Sequence, residues 1–305
     1  MTTSRLRGVI AAAATPVHPD FSPDIARLLP HLRRLLEEGC DAINLLGTTG
    51  EATSFSVRQR LAVMQSVKDA GLPMERFMVG TGVCALDDSA VLTQAAADLG
   101  FAGALVLPPF FYPGPDGTAL LGYVDALVER LKPGALALYL YHIPQNTNVP
   151  WPIETVAVLA RQHAGLLAGI KDSSGELAYS RAVVKAVPGF DVFPSSEATL
   201  CDATQEGFAG CISATTNLTA ADAQIAWRLQ GRDEGRTAAA RAAAQRSVLA
   251  KEALVSSVKA ALALRYDDPE WARTCPPLQA RTPAQRQALR SELEKAGWKF
   301  SIEAA

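Results

Sequence analysis

A repeated alternation of apolar segments with helix-like segments runs through residues 1–230 and limits the possible folds more than any other feature of the chain. The intervening segments are amphipathic: in the first, Ile25, Leu28 and Leu32 recur at the spacing of one helix face. Continuous apolar strands that alternate with helices are typical of parallel sheets covered on both faces, and eight such units predict a (β/α)8 barrel. The eight predicted strands lie in the segments GVIAAAATP, DAINLLGTTG, RFMVGTGV, GALVLPPFF, LALYLYHIP, LLAGIKDSS, FDVFPSS and GCISATTN.

The chain changes character at about Gly231, where the strand pattern stops. The residues that follow are rich in alanine, which favours helix, and are interleaved with leucine and valine. Near the end, Thr282, Pro283 and Gln285 form the signature of a capped helix start. We therefore expect an α/β fold, with a TIM barrel over residues 1–230 and a C-terminal helical extension of two or three helices over residues 231–305. The helix after the seventh strand, in EATLCDATQEGF, is expected to be short.

Composition and charge exclude several classes of protein. Of the 305 residues, 49% are hydrophobic and the formal net charge is -2, so the concentrated positive charge of a nucleic-acid binder is missing. No apolar run in the sequence reaches the ~18 residues of a membrane span. A short apolar run near the N-terminus leads into Pro16, His18 and Asp20, and we interpret it as the first strand rather than as a secretion signal.

The cysteines and histidines argue against a disulfide scaffold and against a metal site. The five cysteines are widely spaced and form no CxxC pair, which indicates a reduced, cytoplasmic protein. The four histidines show no HxxxH or other metal-ligand spacing, so each is interpreted as a surface or packing residue. We therefore expect no metal and no bound cofactor.

One lysine is distinguished by its position. The chain has eight lysines, and only Lys171 ends an apolar strand, in the segment LLAGIKDSSG. Active sites of (β/α)8 barrels form at the carboxyl ends of the strands, where Tyr141 ends the neighbouring fifth strand. Strand alternation would point Lys171 and Tyr141 into the barrel and Ile170 toward the helices. The missing side chain of Gly169 would then leave room beside the amine.

Two interpretations of Lys171 remain open on these residues alone. Removal of an amine from water lowers its pKa and makes it a nucleophile, which can form a Schiff base with a ketone or an aldehyde. Alternatively, the ammonium group reaches solvent at the strand end and pairs with Asp172. The nearby tyrosine and threonines favour the first interpretation.

The turn after the second strand, GTTGE at residues 47–51, carries two adjacent threonines. It lacks the lysine of a phosphate-binding P-loop and the glycine spacing of a dinucleotide site. Backbone amides and two hydroxyls at the start of a helix suit a small anion such as a carboxylate. The alternative is a tight turn in which Thr48 or Thr49 only caps the next helix.

Taken together, these segments resemble the pyruvate-dependent class I aldolase family that contains dihydrodipicolinate synthase and N-acetylneuraminate lyase. The resemblance covers nearly the whole chain and rests on AAAATPVHPD, GTTGEATSFS, YHIP, GIKDSSG, GCISATTN and PPL, in that order. It implies that Lys171 forms a Schiff base and that Tyr141 and Thr48 relay protons. Thr48 and Thr49 would hold the pyruvyl carboxylate, and the backbone carbonyl of Ile212 would face the site. The resemblance further implies a homotetramer built as a dimer of dimers.

The chain departs from the family pattern at two positions. The family usually places a tyrosine after the fourth strand that reaches a neighbouring subunit's site; Phe111 stands there, so the relay is shorter or the adjacent Tyr112 replaces it. Dihydrodipicolinate synthases carry an arginine two residues after the proline that follows the fifth strand, to bind the carboxylate of the second substrate. Here the residue two after Pro144 is Asn146. A neutral amide cannot supply a bidentate cation, which argues against aspartate semialdehyde.

We therefore expect a lyase that cleaves or forms a 2-oxo acid through a Schiff base at Lys171, with pyruvate and an aldehyde as its small-molecule partners. An uncharged, hydroxyl-rich aldehyde suits Asn146, Ser195 and Ser196, so a 2-keto-3-deoxy sugar acid is the expected substrate. Three alternatives remain: a 4-hydroxy-tetrahydrodipicolinate (dihydrodipicolinate) synthase, a Schiff-base dehydratase of a keto-deoxy sugar acid, and a non-catalytic barrel that binds a keto acid. The last is suggested by Phe111.

Overall fold

The computed structural model describes residues 5–132, 134 and 136–300, which form eight parallel strands that alternate with helices. Residues 1–4 of the N-terminal segment and residues 301–305 of the predicted extension lie outside the described residues. The strands are β1 (Gly8–Ala12), β2 (Ala42–Leu45), β3 (Phe77–Gly80), β4 (Gly103–Val106), β5 (Ala137–His142), β6 (Leu167–Asp172), β7 (Asp191–Pro194) and β8 (Gly210–Ser213).

The strands form a nearly closed barrel. They pair in the order β7-β6-β5-β4-β3-β2-β1-β8, and every pairing is parallel. The two ends of this sheet meet, because the Ala209 amide directly before β8 donates to the Val192 carbonyl of β7 at 2.9 Å. The predicted (β/α)8 TIM barrel is therefore confirmed.

Helices connect the strands and continue beyond the last one. The connecting helices are α1 (Ile25–Glu37), α2 (Val57–Asp69), α3 (Leu86–Leu99), α4 (Gly117–Val128), α5 (Pro144–Thr147), α6 (Ile153–Gln162), α7 (Leu177–Ala186), α8 (Ala203–Glu206) and α9 (Thr216–Arg228). The helices after residue 230 are α10 (Asp233–Leu249), α11 (Leu254–Tyr266) and α12 (Pro283–Lys295). Short 310 helices lie at Ala52–Ser54, Met74–Arg76, Glu197–Asp202 and Pro269–Ala272. None of the helices in the described part of the chain combines the length and the apolar character needed to cross a membrane.

Local sequence signals explain several helix ends. Ser56 caps α2 and forms a reciprocal capping box with Gln59. Thr282 and Gln285 form the same arrangement at α12, as predicted. After β7 the chain makes a 310 helix and then the four-residue α8, so the helix that was expected to be short is short.

Side-chain alternation along the strands divides the core into two layers. Outward-facing residues such as Val9, Leu45 and Ile170 pack against the surrounding helices. Inward-facing residues fill the barrel itself, which is therefore a packed core and not a channel. The inner layer includes Ile10, Met78, Leu105, Tyr139, Tyr141, Phe193 and Ile212.

A third apolar cluster joins the C-terminal helices to the barrel. It contains Val258 of α11 together with Leu218 of α9 and Ala14, which lies just beyond the carboxyl end of β1. His31 of α1 adds a polar contact across the same boundary, 2.8 Å from the Tyr266 hydroxyl of α11. The helices after residue 230 thus pack near the barrel end where a site is expected.

Candidate active site

Lys171 and Tyr141 lie side by side at the carboxyl ends of neighbouring strands. The two residues are register partners in the β5–β6 pairing, so their side chains leave the same face of the sheet. The amine nitrogen of Lys171 (Nζ) lies 4.4 Å from the centre of the Tyr141 ring. Both residues are buried, with 3% of their surface exposed. Ile170 packs into the outer core, as the predicted alternation requires.

An ion pair between Lys171 and Asp172 does not form. The Asp172 carboxylate instead accepts hydrogen bonds from the Ser174 amide at 2.9 Å and from the Ser180 hydroxyl at 2.6 Å. Salt bridges of lysines in the described part of the chain belong to Lys132, Lys251 and Lys259. The interpretation of Lys171 as a paired lysine that reaches solvent is therefore wrong.

Gly169 has a different role from the one predicted. A side-chain carbon added to this glycine would lie 2.1 Å from the Asp191 carbonyl oxygen and 2.9 Å from a ring carbon of Tyr139. The space beside Gly169 is therefore filled by the β7 backbone and by an aromatic ring from β5. The expectation that it leaves room beside the amine is wrong: this glycine permits close approach of neighbouring strands.

The GTTGE turn brings both of its threonines to the same end of the barrel. The Thr48 hydroxyl lies 3.2 Å from the Tyr141 hydroxyl. Neither threonine caps a following helix, because the 310 helix Ala52–Ser54 has no side-chain cap and Ser56 caps α2. The capping alternative is therefore wrong, and Thr48 and Thr49 both line the cavity that contains Lys171.

The C-terminal extension contacts this turn through Glu51. Leu46, directly before the turn, and Glu51, its last residue, have left-handed backbone conformations with φ of 51° and 54°. Such conformations are unfavourable for residues with side chains and persist where surrounding contacts fix them. The buried Glu51 carboxylate contacts the amine of Lys259 in α11 and accepts the Cys275 amide at 2.6 Å.

The surroundings of Tyr141 change the acidity of its phenol. Burial alone would raise the pKa of Tyr141, but the positive charge of Lys171 and the hydrogen bond with Thr48 together outweigh it, helped by the nearby Ser173 side chain. The net result is a lowered pKa. A phenol that releases its proton more readily can serve as a proton donor and, once ionised, as an acceptor.

A cavity of about 320 Å³ lies at this end of the barrel. Ser196 does not line it, because its hydroxyl accepts the Ala198 amide at 3.3 Å and caps the following 310 helix. The other predicted site residues are brought together here, and their individual roles stay predictions. They are Lys171, Tyr141, Thr48, Thr49, Asn146, Ser195 and Ile212.

Three polar residues of the cavity wall were not predicted: Gln145, Ser173 and Arg246. The first two are sequence neighbours of predicted residues, and the Gln145 side-chain amide donates to the Ser173 carbonyl at 2.6 Å. Arg246 comes from α10, whose alanine-rich sequence does not signal which face meets the barrel. Apolar residues of the extension complete the wall, namely Ala253, Leu254, Val255 and Leu278.

Phe111 and Tyr112 lie on the surface in this chain. They are 74% and 77% exposed, and their rings contact each other edge to face at 5.4 Å between centres. Neither residue lines the cavity. Within a single chain, the phenol of Tyr112 is therefore not placed beside Tyr141.

The side chains near the site offer amine, phenol, hydroxyl, amide and guanidinium groups. Among the described residues, no group of three or more His, Cys, Asp or Glu is arranged to hold a metal ion. His142, at the end of β5, points outward, where its ring stacks on Tyr179 at 3.9 Å. Its ring nitrogen (Nδ1) accepts the Trp151 amide at 3.1 Å, so His142 is a packing residue.

Proteins of similar sequence match this chain over most of its length. The profile of the dihydrodipicolinate synthetase family matches residues 5–296. An uncharacterized DapA-like lyase from Chloroflexus aurantiacus is 35% identical over 292 residues, which cover 95% of this chain and 96% of that protein. A 4-hydroxy-tetrahydrodipicolinate synthase from Cellvibrio japonicus is 32% identical over 217 residues, which cover 71% of this chain and 73% of that protein.

The structural similarity to solved proteins also covers most of the chain. The crystal structure of dihydrodipicolinate synthase from Agrobacterium tumefaciens superimposes with a TM-score of 0.88 and 26% sequence identity, covering 95% of this chain and 99% of that one. Matches of this extent, in sequence and in structure, show that the chain belongs to the dihydrodipicolinate synthetase family and is an enzyme of the aldolase and lyase type.

Proposed function

We propose that this enzyme cleaves a 2-keto-3-deoxy sugar acid to pyruvate and an aldehyde, and forms it in reverse, through a Schiff base at Lys171. The observation that carries this proposal is the buried Lys171 amine beside the Tyr141 phenol, in a cavity to which the described residues contribute no carboxylate. Since no structural ion pair occupies the amine, it is available for covalent chemistry.

Formation of the Schiff base would begin at the Thr48 and Thr49 turn, which binds the carboxylate of the 2-oxo acid and presents its keto carbon (C2) to Lys171. The neutral amine attacks C2, and a proton passes from the nitrogen to the carbonyl oxygen, giving a neutral carbinolamine. Tyr141 then delivers a proton to the departing hydroxyl, which leaves as water. The product is a protonated Schiff base, and no oxidation or reduction occurs.

Cleavage would then break the bond between C3 and C4. The ionised phenol of Tyr141 accepts the proton of the C4 hydroxyl, which becomes the aldehyde carbonyl. The electrons of the broken bond move into the Schiff base and give an enamine. Tyr141 then gives the proton that it accepted to C3 of the enamine, and addition of water at C2 releases pyruvate and restores Lys171. The lowered pKa of Tyr141 suits a group that must donate and accept protons in turn.

The residues beside the reacting end support a hydroxylated substrate. The Asn146 amide and the Ser195 hydroxyl line the cavity and can hydrogen-bond with hydroxyl groups. Dihydrodipicolinate synthase activity is the first alternative. Asn146 stands where such synthases carry an arginine for the carboxylate of the second substrate, which argues against this activity. A dehydratase would use the same Schiff base but remove a hydroxyl and leave the carbon chain intact.

A product screen separates these possibilities. The enzyme is incubated with a panel of 2-keto-3-deoxy sugar acids, pyruvate release is followed with lactate dehydrogenase, and all products are identified by mass. We expect pyruvate and one aldehyde in equal amounts. A 2-oxo acid product with the full carbon chain would indicate the dehydratase, and condensation of pyruvate with aspartate semialdehyde would indicate the synthase. No turnover of any substrate would contradict the proposed substrate class.

We further propose that the enzyme works in the cytoplasm, without a metal or a bound cofactor, as a homotetramer arranged as a dimer of dimers. The five cysteines are all unpaired, which suits a reducing compartment. The exposed pair Phe111 and Tyr112 supports contact with another copy, because large aromatic side chains favour burial in an interface. Light scattering after size exclusion should give four times the mass of one chain, and a monomer mass would contradict the assembly.

A further inference from the structure

We propose that Arg246 forms a second anion-binding position in the cavity, so that the preferred substrate carries a carboxylate at the end opposite its 2-oxo acid group. This inference rests on the proposed Schiff-base function and adds the charge of the far end of the substrate. Asn146 alone suggests that this end of the substrate is uncharged. Arg246 changes that expectation, because it brings a cation to the cavity from another part of the chain.

Arg246 belongs to the C-terminal extension but lines the same cavity as Lys171. It lies in the last turn of α10, and 23% of its side chain is exposed. The two residues give the cavity wall two basic side chains, and no aspartate or glutamate of residues 5–132, 134 and 136–300 lines it. A 2-oxo acid supplies one negative charge. Glu197, which lies 4.0 Å from Arg246, is not among the residues that line the cavity, so a second carboxylate on the substrate would meet the part of Arg246 that does.

The hydrogen bonds of Arg246 leave part of its guanidinium available. One terminal nitrogen (Nη1) donates to the Ser213 hydroxyl at 3.1 Å and to the Thr215 hydroxyl at 3.3 Å. Among the described residues, neither Nε nor Nη2 has a hydrogen-bond partner, and neither is fully enclosed by protein. Nε and Nη2 lie on one edge of the planar group, and this edge matches the two oxygens of a carboxylate.

A structural ion pair with Glu197 is the competing explanation. The Glu197 carboxylate is buried and lies 4.0 Å from Nη1, at the limit of a salt bridge. One of its oxygens (Oε1) accepts the hydroxyls of Thr215 and Thr219, at 2.6 Å and 2.8 Å, and the other (Oε2), which faces Nη1, has no hydrogen-bond partner among the described residues. A guanidinium kept only to neutralise Glu197 would present its two-donor edge to that carboxylate. Instead, the contact is made through Nη1 alone, which orients Arg246 without using Nε or Nη2.

The neighbouring backbone is compatible with an anion. Ala253, Leu254 and Val255 line the cavity at the start of the 13-residue α11, and no side chain caps that helix. Its first amides carry the partial positive charge of a helix N-terminus. A substrate with an ammonium group, such as an amino aldehyde, would meet two cations here and no acidic side chain in the wall. We therefore infer a hydroxylated diacid.

Matched 2-oxo acids test the inference without requiring the natural substrate. The probes are 2-oxo diacids of five, six and seven carbons and the monoacids of equal length, trapped on the enzyme with borohydride. For at least one length, the diacid should reach half-maximal adduct at a concentration about 10- to 100-fold lower than its monoacid, as expected for a charge-assisted contact. No preference at any length would overturn the Arg246 proposal.

Variants assign the preference to this side chain. Arg246→Gln removes the charge, so the half-maximal concentration of the monoacid divided by that of the diacid should fall toward one. Arg246→Lys keeps the charge but loses the paired donors of the guanidinium, and should retain part of this ratio. The ratio is taken within each variant, so a general loss of adduct cancels. Arg241→Gln is the matched control, because Arg241 lies on the same helix and pairs with Asp222. A preference that survives in Arg246→Gln contradicts the proposal.

Trapping with pyruvate keeps the two proposals separate. Pyruvate lacks a second carboxylate, so its adduct reports the Schiff-base chemistry alone. If wild-type enzyme forms no adduct with pyruvate, the proposed function fails. If pyruvate is trapped but diacids show no advantage, the function stands and only the assignment of Arg246 fails.

Discussion

The role of the Tyr141 hydroxyl can be tested by mutation. Tyr139 lies two residues earlier on the same face of β5, so the same change there serves as a comparison. Tyr141→Phe keeps the ring against Lys171 but deletes the proton donor and acceptor. Loss of a general acid–base group typically costs ~100- to 10,000-fold in rate. We expect a fall in kcat within that range, slower Schiff-base formation and little change in melting temperature, measured by steady-state and rapid-mixing kinetics.

Tyr139→Phe is the matched control for this prediction. The Tyr139 hydroxyl is buried and has no hydrogen-bond partner among the described residues, so its removal should not reduce kcat. Tyr112→Phe asks whether that residue replaces the family tyrosine: an equal loss would place Tyr112 in the relay, and no loss would leave Tyr141 and Thr48. Nearly full activity in Tyr141→Phe would contradict the proposed relay.

Single residues differ in how far the sequence could locate them. Lys171 and Tyr141 could be placed because strand alternation and strand-end position depend on local sequence alone. Arg246 could not, since its role depends on how α10 packs against the barrel. Gly169 was placed on the correct strand but misinterpreted, because sequence does not show that the β7 backbone and Tyr139 fill the space beside it.

Among the secondary-structure elements, the GTTGE turn depends on a contact with α11. Glu51 and Lys259 are both fully buried, and burial lowers the pKa of Lys259 while the Glu51 charge opposes that shift. Removing one partner of such a pair leaves a buried charge without compensation, which costs about 3–5 kcal/mol. This contact therefore links the threonines of the site to the C-terminal extension.

Lys259→Met should lower the free energy of unfolding by about 3–5 kcal/mol and raise the concentration of pyruvate needed for half-maximal adduct, because the turn loses its support. Denaturant unfolding and borohydride trapping measure the two effects. The double variant Glu51→Gln/Lys259→Met should recover part of the stability, since it removes both charges.

Lys251→Met is the control for this prediction. The Lys251 amine pairs on the surface with Glu292, and its loss should cost about 1 kcal/mol or less. Equal losses in the two lysine variants would contradict the role given to the buried pair.

The order and type of the secondary-structure elements could be predicted from the sequence, whereas the contacts between them could not. Apolar runs identified all eight strands because each is buried on both faces in a parallel barrel. The signature at Thr282 predicted the start of α12 because capping is local. The Glu51–Lys259 contact joins residues that are 208 positions apart, and neither residue carries a local signal of its partner.

For the molecule as a whole, a buried histidine joins the barrel to the C-terminal helices. His31 lies between Asn217 of α9 and Tyr266 of α11. The Asn217 side-chain nitrogen donates to the Ala12 and Ala214 carbonyls, which leaves its oxygen as the acceptor of a hydrogen from His31 Nε2. In the neutral imidazole, which burial favours, the other ring nitrogen accepts the Tyr266 hydroxyl.

This histidine should make stability depend on pH. Burial lowers the pKa of His31 to about 4, although the hydrogen bond with Asn217 opposes that shift. Between about pH 6.5 and pH 4 the unfolded chain binds a proton that the folded protein does not, so stability falls as pH falls through this window. The shift corresponds to a total of about 3 kcal/mol.

Unfolding free energies at pH 7 and pH 5 measure this effect. In His31→Gln the fall over this interval should be about 2 kcal/mol smaller than in the wild type, because glutamine does not titrate. An unchanged fall in His31→Gln would show that the histidine is not kept neutral by the fold.

Catalysis by the whole enzyme should be independent of metal ions. The proposed chemistry uses an amine, a phenol and hydroxyl groups, and it assigns the proton transfers at the departing hydroxyl and at the C4 hydroxyl to Tyr141. Exhaustive dialysis against a chelator should leave kcat unchanged in the pyruvate-release assay. A loss that a divalent cation restores would point to a metal-dependent aldolase instead.

The central claim is that Lys171 forms the covalent bond to the substrate, and peptide mass mapping tests it most directly. The enzyme is incubated with pyruvate and borohydride, digested, and the modified lysine identified. We predict one stoichiometric adduct on Lys171, retained in Lys185→Ala and absent from a folded Lys171→Ala variant, which should also have no turnover. An adduct on another lysine, or none with active wild-type enzyme, would contradict the account.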